Sequence, residues 1–83
     1  MNKILVEVFL PALGQSYDVF IPLESQLSEV ILLLTKVLND LSSGCYIAGE
    51  DAILCDRETG NIFSINMSVY ELGLKSGSKL MLI

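Results

Sequence analysis

Two thiols and a loose group of carboxylates are the side chains of this 83-residue chain with the means to do chemistry. Cys45 and Cys55 are candidate nucleophiles or metal ligands, and Glu50, Asp51, Asp56 and Glu58 are candidates for an acid–base pair. Their surroundings argue against both roles. The chain has no histidine, so the commonest general base and metal ligand is missing and neither thiol has an activating partner. Cys45 stands in a predicted loop and reads as an incidental thiol. Cys55 takes the inward phase of a predicted strand, where it acts as a small apolar residue. With no pocket in view, the carboxylates read as solvated loop charges around one edge. Gly44, Gly49, Gly60, Gly73 and Gly77 lack a phosphate-binding spacing and are explained by turns. The expectation is a non-enzyme, with no catalytic residue, cofactor or metal.

Composition narrows the class further. Hydrophobic residues make up 52% of the chain and charged residues 18%, which predicts a folded chain. The length predicts one domain over residues 1–83. Five Lys and Arg against ten Asp and Glu leave a net charge of −5, which argues against nucleic acid and anionic lipid as partners. Two cysteines are too few for a disulfide scaffold, although a single bridge stays open. The apolar stretch Ile4 to Leu13 is broken by Glu7 and has no cleavage site after it. The run Val30 to Leu34 is far too short to cross a bilayer. A cytoplasmic domain without direct membrane insertion is therefore expected. In so short a chain, some apolar side chains must face solvent or a partner.

The elements that position these residues follow from periodicity. Residues 3–10 alternate as a strand, with Ile4, Val6, Val8 and Leu10 inward and Leu5, Glu7 and Phe9 outward. Pro11 and Gly14 turn the chain into a second strand over residues 17–22, with Tyr17, Val19 and Ile21 inward and Phe20 outward. A helix capped near Ser25 runs to Leu41 and carries the stripe Leu27, Val30, Ile31, Leu34, Leu38 and Leu41, widened by Leu33 and Val37. Leu32 falls on its wet side. Ser42-Ser43-Gly44 stops it, and residues 45–51 form a loop. A third strand is predicted over residues 52–56, phased on an outward Asp56, so that Ile53 and Cys55 point in and Leu54 points out. A short strand over residues 62–64 and a helical turn over residues 68–72 come next, with Ser68 as cap and Glu71 three residues on. The last strand covers residues 79–83, with Leu80 and Leu82 inward and Met81 and Ile83 outward. The order ββαββ, with a short helical turn before the last strand, predicts an α+β roll of the β-grasp type, a mixed sheet packed on one helix.

The segment from Ser68 to Leu82, a helical turn followed by Leu74, the Gly77 turn and a closing strand, resembles the ubiquitin-like superfamily. The spacing from Ile62-Phe63-Ser64 through Leu72-Gly73-Leu74 and Gly77 to Leu80 is most similar to the small YukD/EsaB-type proteins of bacterial type VII (WXG100) secretion systems. The resemblance implies a non-catalytic adaptor in the cytoplasm, held at the inner face of the membrane through the secretion complex. The partner it implies is an FtsK/SpoIIIE-type ATPase or another membrane component of the apparatus. It also implies action without conjugation, because the relatives that are conjugated use a mobile Gly-Gly tail, whereas here Ile83 is a β-branched residue at the end of the last strand. The rivals are a free-standing ubiquitin-like interaction module of another pathway and a modifier or sulfur carrier.

In the β-grasp strand order the first strand lies beside the last, and the last beside the third. Leu5, Phe9, Phe20, Leu54, Met81 and Ile83 are then expected to form one continuous apolar patch on the outer sheet face, with Leu54 and Ile83 where the superfamily carries its recognition patch. That patch is the predicted protein-binding site, for a different protein or for a second copy of the chain.

Overall fold

The computed structural model describes residues 2–47, 49 and 51–83. Two strands, β1 (Lys3–Leu10) and β2 (Gln15–Pro22), pair antiparallel along their whole length. Then come the helix α1 (Leu27–Leu41), β3 (Leu54–Asp56) and β4 (Lys79–Leu82). The sheet order is β2-β1-β4-β3, with β4 parallel to β1 and antiparallel to β3. Parallel neighbours need a long crossover connection, and α1 lies within it. One helix on one face of a mixed sheet is the predicted β-grasp roll.

The core lies between α1 and the inner sheet face. Ile4, Val6, Val8 and Leu10 of β1 are buried, as are Val19 and Ile21 of β2 and Leu80 and Leu82 of β4. Against them the helix sets Leu27, Val30, Leu34 and Leu38, spaced three and four apart so that they share one face. Ile31 and Val37 pack at its margin. Leu41, expected in the stripe, is half exposed, and Leu32 and Leu33 face solvent.

Both helix ends differ from the sequence expectation for a local reason. The N-cap is Gln26 rather than Ser25, and it makes no side-chain cap bond. The first free donors of the helix are met from elsewhere: Leu27 N–H donates to the Met67 carbonyl at 2.9 Å and Ser28 N–H to the Ile65 carbonyl at 3.2 Å. At the other end, Gly44 N–H reaches the Asn39 carbonyl at 2.8 Å and Ser43 N–H the Asp40 carbonyl at 3.1 Å, with Ser43 at φ 56°. This pairing is a Schellman turn. It folds the chain back so that Tyr46, expected in a loop, is buried. Tyr46 N–H donates to Ser42 Oγ at 2.9 Å, and its carbonyl accepts from Asn39 Nδ2 at 2.8 Å. Burial pushes the Tyr46 phenol above its ordinary pKa.

The third strand is shorter than expected and its phase is opposite. Leu54 is 1% exposed and sits in the core, whereas Ile53, expected inside, is 40% exposed. The difference originates at Asp56. It occupies an inward register position beside Leu80, but it stands at the strand end, where its Oδ1 accepts from Glu58 N–H at 2.8 Å and Thr59 N–H at 3.3 Å. A carboxylate that caps a turn is no marker of the outward face. Cys55 is buried as expected, but it shares the phase of Met81 on the outer side. The strand expected over residues 62–64 is reduced to a single bridge between Ile62 and Cys55.

The capping box after it is present as predicted. Ser68 N–H donates to Glu71 Oε1 at 2.9 Å, and Glu71 N–H donates to Ser68 Oγ at 3.1 Å. The turn it closes buries Val69.

Candidate docking face

Three rows of side chains cross the outer face of the sheet. Leu5 of β1 stands opposite Phe20 of β2. Next comes a charged row of Arg57, Lys79, Glu7 and Asp18, set by Arg57 N–H on the Lys79 carbonyl at 3.1 Å and by the register of Glu7 with Lys79 and Asp18. The third row is Cys55, Met81, Phe9 and Ser16. Beyond it, Ile53 and Ile83 exchange backbone bonds at 3.0 and 2.9 Å and share the outward phase.

Arg57 ties these rows together. Its guanidinium lies 4.3 Å from the Phe9 ring centroid, its Nη1 donates to Ser16 Oγ at 3.2 Å, and the same nitrogen is 3.8 Å from Glu7 Oε2. The guanidinium thus sits over the aromatic face with a carboxylate at its side, a favourable place for a cation.

The six predicted residues therefore separate. Phe9, Met81 and Ile83 come together and are joined by Ile53, which the sequence reading had placed inside. Leu5 and Phe20 form a pair of their own, and the charged row divides them from the others. Leu54 is on the opposite face and cannot belong to the patch. Among these side chains Phe20 and Ile83 are each 61% exposed, while Phe9 and Met81 are half-buried. Ile53 could have been found from its pairing with Ile83. Arg57 gave no local signal, since its reach across the sheet depends on tertiary placement.

Two of the residues weighed for catalysis, Cys55 and Asp56, are held in other surroundings. Burial, then the neighbouring Asp56 charge, pushes the Cys55 thiol above its ordinary pKa, and Sγ lies 3.6 Å from the Met81 carbonyl. That thiol is a poor nucleophile. Cys45 is exposed, and both cysteines are free, so the bridge left open by the sequence is not formed. Asp56 is committed to its turn. Glu50 lies outside the described residues. A hollow of 280 Å³ is lined by Asp56, Glu58, Lys75 and Lys79 among others, but the serine hydroxyls there hold backbone: Ser76 Oγ accepts from Leu5 N–H at 3.3 Å and Ser78 Oγ from Lys75 N–H at 3.0 Å. Among the described residues no group of three or more Cys, Asp or Glu side chains is placed to hold a metal ion. No helix there is long and apolar enough to cross a membrane.

No protein-family model and no curated protein sequence matches the chain. Solved structures do. The ubiquitin-like domain of the Mycobacterium tuberculosis type VII secretion protein ECCD1 superimposes with a TM-score of 0.80 at 15% identity, covering 100% of this chain and 99% of that one. The fold is ubiquitin-like. The EccD5 ubiquitin-like domain from Mycobacterium xenopi matches it with a TM-score of 0.81 at 20% identity over 100% of this chain and 94% of the other. A chain of the MycP5-free ESX-5 inner membrane complex matches with a TM-score of 0.81 at 19% identity, and the ubiquitin-like fold here spans 21% of that longer chain.

Proposed function

We propose that this ubiquitin-like domain is an adaptor of a type VII (WXG100/ESX-like) secretion apparatus, working by protein docking and neither by catalysis nor by conjugation. The observation that carries the reading is the group Phe9, Met81, Ile53 and Ile83 on the outer face of a fold shared with two EccD domains and with part of the ESX-5 inner membrane complex. Aromatic, Met and Ile side chains beside a charged row suit an interface with an apolar centre and a polar rim. Arg57, Lys79, Glu7 and Asp18 would set orientation. The partner is a membrane component of the apparatus on its cytoplasmic side, such as an FtsK/SpoIIIE-type ATPase.

The test is affinity capture from the native host with a tag at Met1, followed by mass spectrometry. Capture of a membrane ATPase or another membrane component of the apparatus by the wild type is expected, with a loss of about 10-fold or more in Ile53→Asp/Ile83→Asp, on the scale of a central interface position. Equal recovery by a folded double variant would remove this face from the interface. Recovery of an adenylating enzyme or of covalent adducts would replace docking with conjugation.

A further inference from the structure

β2 ends the sheet, and its free edge is chemically uneven. Glu7 N–H donates to the Ser78 carbonyl at 3.0 Å and the Leu5 carbonyl accepts from Gly77 at 2.9 Å, so the odd residues of β1 turn their backbone toward β4. Antiparallel bonding alternates along a strand. Ile4, Val6, Val8 and Leu10 are therefore the residues that bond β2, through Ile21, Val19, Tyr17 and Gln15. Ser16, Asp18 and Phe20 aim their N–H and C=O groups out of the sheet, and none of these has a backbone partner outside the strands among the described residues. Sheet edges are ordinarily blunted by lysine, proline or a bulge. β2 has no Lys or Arg, carries its proline as its last residue, Pro22, and pairs with β1 without a bulge.

The side chains indicate what this edge would accept. Glu7 and Asp18 form a pair without mutual backbone bonds, the kind in which side chains lie closest. Like charges placed so are destabilising. Glu7 is relieved by Arg57 at 3.8 Å, and that ion pair, the one found among the described residues, leaves Asp18 out. The charged row thus reads Arg57, Lys79, Glu7, Asp18 and ends on an uncompensated carboxylate at the open edge. Two residues along, Phe20 is exposed beside it.

We infer that the β2 edge takes an extended segment of a partner protein as a fifth, antiparallel strand, with a Lys or Arg opposite Asp18 and an apolar side chain opposite Phe20. Main-chain bonds to Ser16, Asp18 and Phe20 supply affinity and these two side chains supply selection. The cation completes the charged row. A second copy of β2 cannot do this, because β2 holds no cation, and both molecules would carry a net charge of −5. The inference stands on backbone direction and charge at the edge and does not depend on the docking role of the outer face.

The probe is the acetylated, amidated peptide Thr-Ile-Val-Arg-Val-Thr, titrated into the ¹⁵N-labelled protein, beside a counterpart with Glu in place of Arg. Amide shifts centred on Ser16, Asp18 and Phe20 are expected, with the Glu peptide weaker by about 10-fold, the scale of a close charge pair. Asp18→Lys, at an exposed position, should reverse that preference while keeping the fold. Equal response to both peptides, shifts centred on Phe9 and Met81, or no shift by a peptide concentration on the order of 1 mM would overturn the inference. So would self-association of the protein alone through β2.

Discussion

On the helix side of the sheet, β1 presents Ile4, Val6, Val8 and Leu10, β2 presents Val19 and Ile21, and β4 presents Leu80 and Leu82, all buried. On the other side the same strands present Leu5 and Phe20, then Lys79, Glu7 and Asp18 in a row that Arg57 extends from just after β3, then Phe9 and Met81. The inner face is uniform because each position answers to one demand, removal from water against α1. The outer face is banded because the fold asks little of it. Its side chains can vary in charge and size at small cost to stability, which is why the proposed docking role is placed there.

The largest expected effect sets two adjacent residues against each other. Leu54→Ala opens a cavity in the core and should cost about 2–5 kcal/mol. Ile53→Ala lies on the outer face and should cost less than about 1 kcal/mol. Urea unfolding at constant m-value measures both. Comparable losses at the two positions would mean that β3 does not separate the faces as described.

That pair also marks where the sequence was legible and where it was not. The first hairpin could be read because long alternating strands leave one consistent phase: Ile4, Val6, Val8, Leu10, Val19 and Ile21 are buried as expected, Tyr17 is partly so, and β2 begins at Gln15, two residues before the expected start. β3 has three residues, too few for alternation to outvote one misleading side chain. By type Asp56 reads as facing water, whereas it serves its own turn, and one residue of slip exchanges the two faces. The same slip put Leu54 into the candidate site and kept Ile53 out. Tyr46 was missed because its burial depends on a helix end that turns back, which no periodicity reports. The capping box of Ser68 and Glu71 was legible because its chemistry is confined to four consecutive residues.

That box sharpens the contrast at a corner of the core, since it holds the turn that buries Val69 while Tyr70 and Glu71 stay exposed. Ser68→Ala removes the acceptor for Glu71 N–H and should cost about 1 kcal/mol. The bonds from Ser68, backbone first and hydroxyl second, lower the Glu71 pKa. A carboxylate with a lowered folded pKa favours the folded state above its unfolded value, and the gain is lost as pH falls through the lowered value. The thermal midpoint should therefore contain an acid-side decline that Glu71→Gln removes. An unchanged acid limb in that variant would mean that the ionised carboxylate is not what closes the turn.

The smallest effect concerns the far end of α1, where the inner face is finished by Tyr46 rather than by the helix. Ser43 holds φ 56° at the position of the Schellman turn that glycine usually fills. A side chain there meets a steric cost that glycine does not. Glycine also gains freedom in the unfolded chain, which offsets part of the benefit. Ser43→Gly should therefore raise stability by about 0.5 kcal/mol, the balance of a left-handed cost of about 1–2 kcal/mol and an unfolded-chain loss of about 0.4–1 kcal/mol, read as a shift in the urea midpoint. Ser42, Asn39 and Tyr46 keep their bonds in this variant, so the Tyr46 ring signals should not move. A loss of stability would mean that the left-handed turn is not what returns the chain to the core. The outer face should not respond at all, since no residue of its three rows touches this end of the helix by hydrogen bond.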